Sequence, residues 1–96
     1  MKPLKGIRVL DFSTLLPGPL ATLMLVDAGA EVIKIEKIGG EDLRKSKPFL
    51  KGNSVLFSLL NRGKKSIEID LKNKENKIKI LQLIKKSDVL VEQFRP

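Results

Sequence analysis

The chain has 96 residues, enough for one domain with a modest core. Hydrophobic residues make up 42% and charged residues 31%, a globular composition, and the aromatics are four Phe. With no Cys and no His, disulfides, thiol nucleophiles and Cys/His zinc sites are excluded, and a cytoplasmic setting is expected. The net charge of +8 has two readings: a polyanionic partner, or a lysine-rich composition without a binding role.

The chain opens without an apolar signal-type segment, and its longest apolar run, 15–26, is too short to span a bilayer. Ile7 to Phe12 reads as a strand buried on both faces, as a central parallel strand is. Pro17-Gly18-Pro19 cannot continue a strand, and Pro suits a first helical turn. A helix is predicted from Pro19 to Ala28, with Gly29 as its C-cap. Glu31 to Glu36 alternates and reads as the second strand, returning directly from that cap in the manner of a βαβ unit.

Residues 37–53 read as a long, basic surface loop, a kind of segment that is usually functional or mobile. Residues 54–60 read as a short helix capped by Asn53 or Ser54, with a strand as the alternative. Asn61 to Lys65 is a basic turn, and Ser66 to Leu71 alternates strictly as a strand. A helix opens at Asn73 or Lys74 and runs to about Lys86, and Asp88 to Glu92 forms a fourth strand. The order predicts an α/β fold: a Rossmann-like parallel sheet of about four strands with helices on both faces. The sheet is expected to be a fragment of a larger domain.

In such sheets ligands bind beyond the carboxyl ends of the strands. The groups at those ends are the turn from Leu15 to Pro19, Lys37, the stretch Asp70-Leu71-Lys72, Gln93 and Arg95. The cations Lys37, Lys72 and Arg95, with helix N-termini, suit a ligand carrying several phosphates. A dinucleotide fingerprint is not met, because the first turn offers Gly18 alone between two prolines. Asp11, Asp27, Asp70 and Glu92 are carboxylates near strand or helix ends, and Asp11 also suits a buried structural role. Their spacing assigns no catalysis. Nucleic acid is disfavoured by the few aromatics and by the absence of a recognised binding motif, and no membrane partner is expected.

Three stretches carry a resemblance: GIRVLDFSTLLPGPLATLMLVDAGAEVIKIEK (6–37), NRGKKSIEIDLK (61–72) and SDVLVEQFRP (87–96). Together they resemble the N-terminal segment of the family III CoA-transferases, which include formyl-CoA and carnitine CoA-transferases and α-methylacyl-CoA racemase. The resemblance implies coenzyme A, as an acyl-CoA substrate, and no metal. It places Leu15 and Leu16 beside the thioester, Lys37 at the nucleotide end, and Ile69, Asp70, Leu71 and Lys72 along the adenine and phosphates. Gln93 and Arg95 fall where the family contacts the CoA chain or its phosphates. It further implies that residues 1–96 are the CoA-binding half of a larger domain, with the transferases' catalytic Asp, or the racemases' His and Asp, beyond residue 96. A homodimer is implied for the full-length proteins, and self-association for this segment. A stand-alone binding or interaction protein derived from the fold is the alternative.

Overall fold

The computed structural model describes residues 2–93. Its elements are β1 (Arg8–Asp11), α1 (Pro17–Asp27), β2 (Glu31–Glu36), a 3-10 turn (Asp42–Lys45), β3 (Phe49–Leu50), β4 (Asn53–Ser54), α2 (Val55–Leu60), β5 (Lys65–Glu68), α3 (Lys74–Lys85) and β6 (Val89–Val91). Four strands form one parallel sheet in the order β5-β2-β1-β6. Chain order reverses at β1: β2 and β5 lie on one side of it and β6 on the other, which makes β1/β6 the topological switch point.

Alternation along β1 and β2 divides the core in two. Leu10, Ile33 and Ile35 face α3, where Ile80 and Leu83 close a cluster with Ile69 and Phe12. Val9 and Val32 face the other way and meet Leu25 and Val26 of α1. Helices therefore cover both faces of an α/β sheet, as the element order predicts. Farther along that second side the sheet carries Asp11, Lys34 and Glu36, all buried.

Several boundaries differ from the sequence expectation. Helix α1 starts at Pro17, because Pro fits the first helical position and residue 16 supplies the first carbonyl, accepting from the Leu20 N–H at 3.0 Å. Gly29 takes φ +102, a left-handed value that suits glycine, and its N–H donates to the Val26 carbonyl. The 37–53 loop is largely structured: it holds the 3-10 turn and the antiparallel β3–β4 hairpin. Side-chain bonds organise it, which hydrophobic periodicity does not register. The 54–60 segment is a helix, with the Ser54 hydroxyl accepting the Phe57 N–H.

Strand β5 stops at Glu68 rather than Leu71. Its partner β2 ends at Glu36, whose carbonyl takes a last bond from the Ile69 N–H at 2.8 Å. Asp70 then starts a turn, its carboxylate accepting the Lys72 N–H. Strand β6 is shorter than 88–92, and Val89 and Leu90 on this sheet edge are nearly half exposed.

Candidate functional site

A cleft of about 770 Å³ opens where β1, β2 and β5 end. Its walls come from the β1–α1 turn (Thr14 and Leu15), the chain after β2 (Lys37, Ile38 and Asp42) and the chain after β5 (Ile69 to Lys72). Phe12 and Ile35 line its apolar part, and Glu36 and Glu41 also border it. The volume lies in the range of small-molecule sites. A smaller hollow of about 320 Å³ lies between β5 and α3, apart from the β1–α1 turn.

The structure brings Leu15, Lys37, Ile69, Asp70, Leu71 and Lys72 together around this cleft. Leu16 stands at the N-terminus of α1, half exposed, and is not part of the lining. Gln93 lies beside it at the switch point, its amide donating to the Thr14 carbonyl at 3.0 Å and to the Thr14 hydroxyl at 3.2 Å. Arg95 lies outside the described residues. The N-terminus of α1 offers fewer donors than an ordinary helix start, since Pro17 and Pro19 have no N–H.

Lys37 is exposed and ion-paired with Asp42 at 2.8 Å. That hydrogen bond holds the Asp42 carboxyl below its ordinary value. An exposed pair of this kind is worth little, so an incoming anion can compete for the ammonium. Lys72 makes no ion pair among the described residues.

Beneath the cleft the buried side chains form an ordered ionic layer. Burial pushes the Glu36 carboxyl up, but hydrogen bonds from Arg44, Ser66 and the Glu41 N–H outweigh it and bring it down to about 2. Arg44 reaches both Glu36 oxygens at 2.7 Å, a bidentate geometry. This engagement removes Glu36 from the ribose-binding role that a strand-end acid can play in dinucleotide folds. Lys34 Nζ donates to the Ser13 carbonyl at 3.1 Å and lies 3.2 Å from Glu41 Oε1. Glu41 Oε2 accepts the Leu15 N–H at 3.2 Å.

Asp11 serves the structural role open to it. One carboxylate oxygen accepts the Ser13 N–H at 2.8 Å and the Ser13 hydroxyl; the other takes the Thr22 hydroxyl at 2.6 Å and faces Lys64 Nζ at 3.4 Å. Thr22 ties α1 to this strand end. Lys64, which reads as part of an exposed basic turn, has a buried side chain that also donates to the Pro19 carbonyl and to Asn61. Burial pushes the Lys64 ammonium below the usual lysine value, and Asp11 offsets only part of this. Asp27 is paired at the surface with Arg62 through two bonds.

Lys34, Glu41, Arg44 and Lys64 were not visible as site elements from motif spacing. A signal for Lys34 and Glu36 exists: in EVIKIE, on a strand buried on both faces, charged residues at alternating positions must find partners indoors.

Leu15 has φ +66, the left-handed region, where a branched side chain costs about 1–2 kcal/mol. Gly18, on the first turn of α1, is packed against the same turn. A Cβ there would lie 2.2 Å from Ser13 Cβ and 2.8 Å from Gln93 Oε1.

Fold and cleft thus define an α/β segment with a candidate site at the strand ends. The family model for CoA-transferase family III matches residues 4–96. A probable fatty acyl-CoA transferase of Mycobacterium tuberculosis, Rv3272, is 48% identical over 99% of the chain and 25% of its own length. An acetyl-CoA:oxalate CoA-transferase of Acetobacter aceti is 43% identical over 98% of the chain and 24% of its own length. The crystal structure of Rv3272 superposes with a TM-score of 0.91, covering all of the chain and 26% of that protein. A CAIB/BAIF family protein from Brucella suis superposes at 0.89 with 35% identity, over 96% of the chain and 26% of that protein. The chain belongs to CoA-transferase family III. It spans about a quarter of the length of these relatives, consistent with the N-terminal segment that the resemblance implies.

Proposed function

We propose that the chain forms the CoA-thioester-binding part of a CoA-transferase or α-methylacyl-CoA racemase and does not turn substrate over by itself. The observation that carries this reading is the convergence of Leu15, Lys37 and the 69–72 stretch on one cleft. The cleft fits the ligand chemically: apolar walls from Phe12, Leu15, Ile35 and Leu71 suit a pantetheine chain, and Lys37 and Lys72 suit phosphates. Leu15 stands at the acyl end in this reading. Leu16, next to it in the chain, is assigned to the thioester as well, and Gln93 and Arg95 to the CoA chain or its phosphates.

The carboxylates around the cleft support binding rather than covalent chemistry. Glu36 and Glu41 are buried and engaged, Asp42 is paired with Lys37, and Asp70 holds a backbone N–H. The chain has no His to serve a racemase-type proton transfer. Those roles are assigned to the remainder of a full-length protein, acting as a homodimer in the cytoplasm. No helix among the described residues is long and apolar enough to cross a membrane.

Calorimetric titration tests the reading. CoA and acetyl-CoA should bind the 96-residue chain, with Lys37→Ala and Lys72→Ala each weakening them several-fold and NAD failing to compete. Equal binding of NAD, or indifference to both lysine substitutions, would refute it. Turnover of an acyl-CoA by the chain alone would refute the lack of catalysis.

A further inference from the structure

The Lys34–Glu41 pair is fully withdrawn from solvent, with the side chains 0% and 2% exposed. It sits between β2 and the β1–α1 turn and grips that turn at two points. Lys34 Nζ takes the Ser13 carbonyl, and Glu41 Oε2 takes the Leu15 N–H, so the pair brackets Thr14. Glu41 is itself fixed, its N–H donating to Glu36 Oε1 at 2.9 Å. Its other oxygen, Oε1, accepts no hydrogen bond among the described residues and lies 3.2 Å from the Lys34 ammonium.

The gripped residue is one that would not adopt its conformation unaided. Leu15 is left-handed at φ +66 yet 51% exposed, so core packing does not impose that backbone. Its N–H is fixed by donating to Glu41 Oε2. Leu15 lines the cleft and Leu16 does not, so the setting of this one peptide decides which leucine faces a ligand.

We infer that the buried Lys34–Glu41 pair is a positioning device that sets the left-handed conformation of Leu15 and thereby the acyl selectivity of the cleft. The selectivity part rests on the proposed CoA-thioester function; the hold on Leu15 does not. A pair that only filled the interior could be exchanged for apolar residues without consequence for the turn.

The test uses the 96-residue chain. NMR reads the Leu15 amide exchange rate and its HN–Hα coupling. Calorimetry reads affinities for adenosine 3′,5′-bisphosphate, CoA, acetyl-CoA and decanoyl-CoA. In Lys34→Met/Glu41→Leu, Leu15 exchange should rise at least tenfold. The ratio of decanoyl-CoA to acetyl-CoA affinity should change at least fivefold, while the bisphosphate stays within twofold. Should the double variant not fold, Leu15→Pro removes the same donor and the left-handed backbone from the exposed side, and should shift the ratio at least fivefold from the wild type. In a Leu15→Gly background the double substitution should change the ratio less than twofold, because the coupling runs through Leu15. Unchanged exchange and coupling at Leu15 in the double variant, or an unchanged ratio in it and in Leu15→Pro, overturns the inference. Failure of the wild type to bind any CoA compound refutes the proposed function, and with it the selectivity role; the exchange measurement then decides the hold on Leu15.

Discussion

The guanidinium of Arg44 sits over the ring of Phe57, with Cζ 4.0 Å from the ring centroid, while its nitrogens hold both oxygens of Glu36. One side chain thereby joins the 3-10 turn, α2 and the end of β2. Arg44→Lys keeps the charge but loses the fork and the planar stack, so it is not conservative here. It should lower stability by about 1–2 kcal/mol, the scale of a lost charge-assisted bond plus a partly exposed cation–π contact. Urea unfolding measures this, and an unchanged midpoint would show that the loop is held by something else.

Glu36 makes stability depend on acid. Its carboxyl is depressed from 4.5 to about 2 in the folded chain, so the folded state binds that proton less readily than the unfolded state. The stabilisation is fully present above pH 4.5 and is lost as pH falls from 4.5 towards 2. A shift of that size corresponds to roughly 3 kcal/mol. Denaturant midpoints taken every half pH unit should fall through this window in the wild type and flatten in Glu36→Gln, which remains less stable at neutral pH.

Asp42 holds Lys37 in a pair exposed on both sides. Removing the carboxylate should leave the unfolding midpoint unchanged, because such pairs contribute little. It should also free the ammonium for a ligand phosphate. Asp42→Asn is therefore expected to tighten CoA binding about two- to fivefold at low salt, with the gain shrinking as ionic strength rises. Titrations at two salt concentrations check this, and weaker binding by Asp42→Asn would contradict it.

Gly18 has no room for a side chain, with Ser13 and Gln93 crowding its Cβ position. Its backbone is not left-handed, so conformational freedom is not the issue. Gly18→Ala must move α1 away from the strand ends or break the Gln93–Thr14 contact. A loss of about 1–3 kcal/mol, the usual scale of overpacking, is expected in thermal unfolding. The Thr14 and Gln93 amide resonances should shift most.

Leu90 and Val89 lie on the open edge of β6, and Ile78 and Leu81 are more than half exposed on α3. Open apolar edges invite pairing between chains. The 96-residue chain should sediment as a concentration-dependent mixture of monomer and larger species. Leu90→Lys should shift that mixture towards monomer, and an unaffected distribution would exclude the β6 edge as the contact.

Local pattern determined much of this protein. The β-rich apolar run IRVLDF and the alternation in EVIKIE mark two strands, the Pro17-Gly18-Pro19 turn and Gly29 bracket a helix, and the Ile78–Ile84 spacing marks α3, because these patterns are carried by neighbouring residues alone. The strand-end rule likewise selects Lys37 and residues 70–72, which do share a cleft. Only the tertiary structure decided which charges are indoors. Lys64 and Asp11 are 53 positions apart, and Glu41 and Leu15 are 26 apart, with no periodic signal linking them. Their partnership exists because the parallel sheet brings the ends of β1 and β2 side by side and the covering helices exclude water. Desolvation then makes each buried charge seek a partner, and the left-handed turn at Leu15 is held by the one available to it.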